Sequence, residues 1–209
     1  MALHIERVTK EFGDFKAVDD LTFRVPQGEM FGLLGANGAG KTTLVRIIAG
    51  LLSADSGDVH WGSDQGRARL GYVSQKGGLQ YGLTCREEMV FHAQCFGQSA
   101  KQARTSVDEV AAMLHCDYLM EWDVGRLSGG QRRIIEVGLA LVNQPSVVLL
   151  DEPTAHLDPA SAADIREAIV ALAAARARRT PALAARYATE FNIVFQPEDV
   201  VADRFARVA

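Results

Sequence analysis

No apolar run in this 209-residue chain reaches the 18 or more residues that cross a bilayer as a helix, so no membrane span is expected. The opening residues, Met1-Ala2-Leu3-His4-Ile5-Glu6, have no basic segment followed by an apolar one, and no secretory signal is expected. Cysteine is scarce. Cys85, Cys95 and Cys116 are odd in number and form no C-x-x-C pair, which points to free thiols in a reducing cytosol. His92, Cys95, His115 and Cys116 lack matched structural-zinc spacing, so they are read as packing residues. There is no excess of positive charge either: 22 Lys+Arg face 26 Asp+Glu, a net charge of −4, and no nucleic-acid partner is expected. The tail has its own absences. No glycine follows Gly138, residues 160–209 hold 16 alanines and no lysine, and no histidine follows His156.

What remains is ordinary globular material, 48% hydrophobic and 23% charged, enough for one sizeable α/β domain. Alternation of apolar and polar residues predicts strands over 2–9 and 20–26, in a half-exposed antiparallel sheet. Phe31–Leu34, Asp58–Trp61, Leu70–Val73 and Ser146–Leu150 read as further strands. Helical spacing appears over Thr42–Leu52, Ser99–Leu114 and from Ser128 onward, with another helix from Pro159 to about Arg178. Thr84-Cys85-Arg86-Glu87 has the capping-box pattern of a helix start. Beyond that, Phe191–Phe195 is the one good strand candidate in the tail.

Three motifs carry chemistry. Gly35-Ala36-Asn37-Gly38-Ala39-Gly40-Lys41-Thr42 fits G-x-x-x-x-G-K-[ST], between a buried strand and a helix. A polyphosphate needs converging backbone N–H groups, which glycines permit, and a helix N-terminus adds positive potential. Lys41 is placed to reach the β- and γ-phosphates, and the Thr42 hydroxyl to ligate Mg²⁺. Val147–Leu150 delivers Asp151 to the tip of a buried strand, where α/β sheets bind ligands, and Glu152 follows. Between them, 86 residues after Lys41, stands Leu127-Ser128-Gly129-Gly130-Gln131.

In this order the motifs resemble the ATP-binding subunits of ABC transporters, over roughly residues 1–160. The resemblance implies an α/β P-loop NTPase core with a mixed or parallel sheet, an N-terminal antiparallel β-subdomain and an inserted α-helical subdomain. Residues 1–80 and 145–209 would form the ATP-binding core, and 81–144 the helical signature subdomain. ATP would contact Phe12, in Lys10-Glu11-Phe12-Gly13, and residues Gly35, Ala36, Asn37, Gly38, Ala39, Gly40, Lys41, Thr42 and Thr43. Phe12 would stack on adenine; the competing reading is a core aromatic. Mg²⁺ would be held by Thr42, Asp151 and Gln75, which stands 34 residues after Lys41, and Glu152 would act as general base with Gln75 beside it. Leu127, Ser128, Gly129, Gly130 and Gln131 would close over ATP held by a second subunit, with Leu157 and Asp158 as the D-loop.

That resemblance implies a homodimer or heterodimer on the cytoplasmic face of a membrane, docked peripherally through Gln75–Phe91 to separate integral membrane permease subunits. Export is the favoured direction. It also exposes two departures. Ile134 stands where the family often carries a basic residue, and the switch histidine after Walker B is missing. The tail is then a frame-altered or truncated segment, the mark of a slow ATP-binding subunit, or the source of another contact such as Arg186 or Gln196. A soluble ABC ATPase of nucleic-acid metabolism or translation is the further alternative, disfavoured by the single module and acidic balance.

Overall fold

The computed structural model describes residues 3–26, 30–36, 38–62, 70–145, 147–177, 192–195 and 204–207. Asn37, Arg186 and Gln196 lie outside them.

Two strands open the chain, β1 (Leu3–Phe12) and β2 (Phe15–Val25). With β4 (Ser56–Trp61) they form an antiparallel sheet in the order β2-β1-β4. Leu3, Ile5 and Val8 are buried beneath it. Both hairpin strands run further than apolar alternation indicates. The register shifts repeatedly between Ile5 and Glu11, and Arg7 and Asp20 adopt positive φ (49° and 45°). Each such irregularity flips the inward face, so the period-2 signal fades while the pairing continues to Phe12 opposite Phe15.

The second sheet has the order β5-β6-β7-β3-β8, from β3 (Met30–Leu34), β5 (Leu70–Val73), β6 (Val147–Leu150), β7 (Asn192–Phe195) and β8 (Arg204–Arg207). β3 runs parallel to both β7 and β8, and β6 runs parallel to β7. All four residues of β6 are buried, as a central parallel strand requires. The tail thus supplies two strands rather than the single expected one. Arg-Phe-Ala-Arg in β8 has no β-branched residue to announce it; backbone pairing along β3 makes it a strand. Helix α1 (Lys41–Ile48) buries Leu44, Val45, Ile47 and Ile48 against Leu3, Ile5, Val8, Phe31, Leu33, Val147 and Leu149. At about 1.5–3 kcal/mol per fully buried aliphatic side chain, this cluster holds the loop before α1 on a fixed base.

The chain divides into two compact units: residues 1–72, 146–152 and 189–209, and residues 73–145 and 153–188. The second unit contains α2 (Cys85–Cys95), α3 (Ala100–Met113), α4 (Gly129–Leu141) and α5 (Pro159–Ala177). The expected capping box is present: Glu87 N–H donates to Thr84 Oγ1 at 3.2 Å, and Thr84 N–H donates to Glu87 Oε2 at 2.9 Å. Ser99 and Ser128 start α3 and α4 in the same way. Burial pushes the Cys85 and Cys116 thiols up, to about 11 and about 12, so both stay protonated at neutral pH. The whole is α/β, with a parallel sheet, an N-terminal antiparallel sheet and a helical unit.

Candidate nucleotide-binding site

Strand β3 feeds directly into the loop 35–40, and α1 begins at its end. Gly38 and Gly40 have φ of +83° and +84°, a region that favours glycine. Gly40 is constrained twice over. A Cβ there would run into the carbonyl oxygen of Ala17 on β2, so the loop can sit this close only with glycine. Gly40 is the N-cap of α1, and among the described residues no side chain caps that end. The first N–H groups of the helix are therefore available to an anion.

Lys41 curls back over its own loop. Its Nζ donates to the carbonyls of Gly35 at 2.7 Å and Ala36 at 2.8 Å. Phosphate oxygens are stronger acceptors for an ammonium than neutral carbonyls, so this arrangement is exchangeable. One residue on, Thr42 Oγ1 donates to Asp151 Oδ1 at 3.0 Å. Asp151 is 1% exposed at the end of β6. A hydroxyl beside a buried carboxylate is a hard-oxygen donor pair suited to Mg²⁺. The residues therefore fit the ion that the sequence resemblance implies. Glu152 follows with φ 47°, an uncommon backbone conformation for a non-glycine residue.

A cavity of about 210 Å³ opens at this loop. Gly38, Gly40, Lys41, Thr42 and Thr43 line it from the loop and α1, and Glu152 from the end of β6. Phe12, Phe15 and Ala17 line it from the antiparallel sheet. Phe12 is 52% exposed, which removes the core-aromatic alternative. Lys10 Nζ lies 5.6 Å from the centre of its ring, and is itself fixed by Asp55 at 2.7 Å. Lys10, with the N–H of Glu11, holds the Asp55 carboxyl below its ordinary value. Phe15 and Ala17 carry no motif; only the hairpin register brings them here.

The remaining predicted residues fall in the other compact unit. Gln75 is exposed, in the turn where Gly77 N–H meets the Ser74 carbonyl at 3.4 Å. Leu127 is buried, while Ser128 and Gly129 are exposed at the start of α4 and Gly130 is buried. Ser128 and Gln131 cap each other: Gln131 N–H donates to Ser128 Oγ at 3.2 Å, and Ser128 N–H to Gln131 Oε1 at 2.9 Å. Leu157 and Asp158 lead into α5. The sequence drew attention to Ile134, but the buried cation is its neighbour. Arg133, 6% exposed, donates to the carbonyls of Ser74 (2.7 Å) and Pro153 (3.0 Å) and to Glu136 Oε2 (2.9 Å). It ties the start of the Gln75 turn and the segment after Glu152 to α4.

The family profile described as ABC transporter matches residues 18–155. The chain is 38% identical, over 165 residues, to "Nod factor export ATP-binding protein I" of Paraburkholderia xenovorans (strain LB400), covering 76% of this chain and 54% of that one. It is 37% identical over 180 residues to an uncharacterized ABC transporter ATP-binding protein of Bacillus subtilis (strain 168), covering 81% and 58%. The chain thus spans somewhat over half the length of these relatives. Among solved structures it resembles an ATP-binding cassette of an ABC transporter, MJ1267, with TM-score 0.79 and 24% identity, covering 100% of this chain and 87% of that one. A second is the dimeric post-hydrolysis structure of the ATP-binding cassette MJ0796 bound to ADP and Pi, with TM-score 0.73 and 22% identity, covering 94% and 88%.

Proposed function

The chain belongs to the ABC transporter family as an ATP-binding protein, and from that premise we propose that it binds Mg·ATP and hydrolyses it to power transport through separate membrane subunits. The observation that carries this reading is the Thr42 hydroxyl 3.0 Å from the buried Asp151 carboxylate, in the unit that also holds Lys41, Phe12 and Glu152 around one cavity. Lys41 would exchange the Gly35 and Ala36 carbonyls for β- and γ-phosphate oxygens. The uncapped start of α1 would receive phosphate through its N–H groups, and Phe12 would support the adenine face. Mg²⁺ held by Thr42 and Asp151, with Gln75 as a further ligand, would neutralise charge on the phosphate oxygens. Glu152 would accept the proton of the attacking water.

Ser128, Gly129 and Gly130 would meet ATP held by a second copy or a similar subunit, with Leu157 and Asp158 alongside. The dimeric relative supports that arrangement. Among the described residues no helix is long and apolar enough to cross a membrane. Integral permease subunits would supply the pathway, and this subunit would lie peripherally on the cytoplasmic face. Exposed Tyr81 and Phe91 support Gln75–Phe91 as the docking region. The name of the Paraburkholderia relative supports export.

A slower variant of the same reading is favoured by one observation: no histidine follows His156. Phe195, the end of β7, pairs with Leu150 beside Asp151 and with Gly32 on β3. The next residue in the chain is Gln196. If the missing imidazole limits turnover, Gln196→His should speed phosphate release. Phosphate release from wild type, Glu152→Gln and Gln196→His tests both readings. Release abolished in Glu152→Gln supports hydrolysis at this site; equal release from wild type and Glu152→Gln contradicts it. Unaccelerated release from Gln196→His contradicts the slower variant.

A further inference from the structure

The starts of α4 and α5 lie against each other, and each is capped. Asp158 caps α5: its Oδ1 accepts the N–H groups of Ala160 (3.1 Å) and Ser161 (3.0 Å). Its Oδ2 accepts the Ser161 hydroxyl at 2.6 Å. The Ser161 side chain is therefore pinned to one rotamer. That hydroxyl is the first cause holding Asp158 below its ordinary value, so the carboxylate stays a charged acceptor at neutral pH.

Gly130 rests on this pinned serine. A Cβ at Gly130 would stand 2.5 Å from both Cβ and Oγ of Ser161, closer than carbon atoms approach. A Cβ at Gly129 would stand 3.5 Å from Cδ2 of Leu157. Gly130 is helical and not in the positive-φ region. Glycine is a poor helix former, so its backbone freedom is no reason for it here. What the position requires is the absence of a side chain facing Ser161. Rotating the serine hydroxyl gives no relief, because Ser161 Cβ is fixed by the backbone of α5.

We infer that Ser161 is a positioning residue: pinned by Asp158, it is the seat that sets the depth and tilt of the Ser128–Gln131 turn, so that this turn and the Leu157–Asp158 segment move as one body. This rests on the proposed function, in which Ser128–Gln131 closes over ATP held by a second copy. The seat would hold the exposed Ser128 and Gly129 in register with a phosphate that neither residue binds in its own subunit.

The test uses the full chain carrying Glu152→Gln, with self-association measured by sedimentation in Mg·ATP and ATP affinity measured in the protomer. Gly130→Ala should weaken association by roughly tenfold or more while leaving protomer ATP affinity unchanged. Adding Ser161→Gly leaves only the Ser161 Cα, 3.4 Å from the new methyl, and should restore association to within about threefold. Gly130→Ala with Ser161→Ala keeps the obstructing Cβ and should not recover. Ser161→Val thickens the seat without touching the signature, and should weaken association as Gly130→Ala does; it also carries the test if Gly130→Ala does not fold. Thermal unfolding midpoints are read alongside, because a merely structural role would lower them in step with association. Failure of Ser161→Gly to rescue Gly130→Ala, or loss that simply follows unfolding, overturns the seat. If the Glu152→Gln chain itself stays monomeric in Mg·ATP, the proposed function falls and the seat falls with it.

Discussion

Helices α1 and α4 both begin in glycine-rich sequence, yet the two starts are built in opposite ways. At α1 the glycines are conformational: Gly38 and Gly40 sit at positive φ, a Cβ at Gly40 would run into the Ala17 carbonyl, and among the described residues no side chain caps the helix. At α4 the glycines are helical, the end is closed by the mutual Ser128–Gln131 cap, and Gly130 is small because Ser161 is behind it. One start is left open, with a lysine folded over the loop that an anion would displace. The other is closed by its own cap and presents Ser128 and Gly129 to solvent. The difference suits an end that receives phosphate within its own subunit and one that meets phosphate from outside.

Lys41→Ala attacks the open start and should have the largest effect. It removes the cation seated on the Gly35 and Ala36 carbonyls, and ATP affinity should fall roughly tenfold or more, about 1.4 kcal/mol upward. Nucleotide titration reads it, and unchanged affinity would erase the distinction between the two helix starts. Gly40→Ala comes next. It forces alanine to φ near +84° against a backbone carbonyl, and strain of about 1–3 kcal/mol should appear in denaturant unfolding. Unlike Gly130→Ala, it has no facing side chain whose removal would relieve it. Rescue of Gly40→Ala by any change on β2 would break the contrast.

Much of this was legible in the sequence because phosphate chemistry restricts residue choice: the loop, Asp151, Glu152 and the signature are fixed strings in a fixed order. So were the helix starts at Thr84 and Ser128, where capping needs particular side chains. The rest depended on approach distances that a string does not carry. Phe15 and Ala17 reach the cavity only through hairpin register. Arg133 looks like one of two adjacent surface arginines until its own burial and its hydrogen bonds to Ser74, Pro153 and Glu136 are seen. Ser161 carries no motif, and the string that marks Gly130 as a signature glycine does not show that a Cβ there would also meet Ser161. The strand β8 lacks any local pattern.

Ser128→Ala sharpens the comparison from the sealed side. Loss of its cap should cost about 1 kcal/mol in unfolding free energy and leave protomer ATP affinity untouched. A large loss of ATP affinity would place the signature in its own subunit's site. The smallest effect concerns the open side's aromatic wall. Lys10 and the Glu11 N–H hold the Asp55 carboxyl below its ordinary 3.8. A lowered folded value gives stability that is present above 3.8 and lost as pH falls through the lowered value. Asp55→Asn should therefore flatten the acid limb of a pH–stability curve slightly, because the group is exposed and screened. An unchanged limb would show that the Lys10–Asp55 pair adds nothing to the stability of the open side.

The most direct measurement is calorimetric titration of the wild-type chain with ATP, with and without Mg²⁺, repeated on Asp151→Asn. The open start should bind ATP, Mg²⁺ should tighten it, and Asp151→Asn should remove that tightening while Lys41-dependent binding persists. ATP affinity that ignores both Mg²⁺ and Asp151, or no binding at all, would contradict the account of Thr42, Asp151 and the loop as one Mg·ATP site.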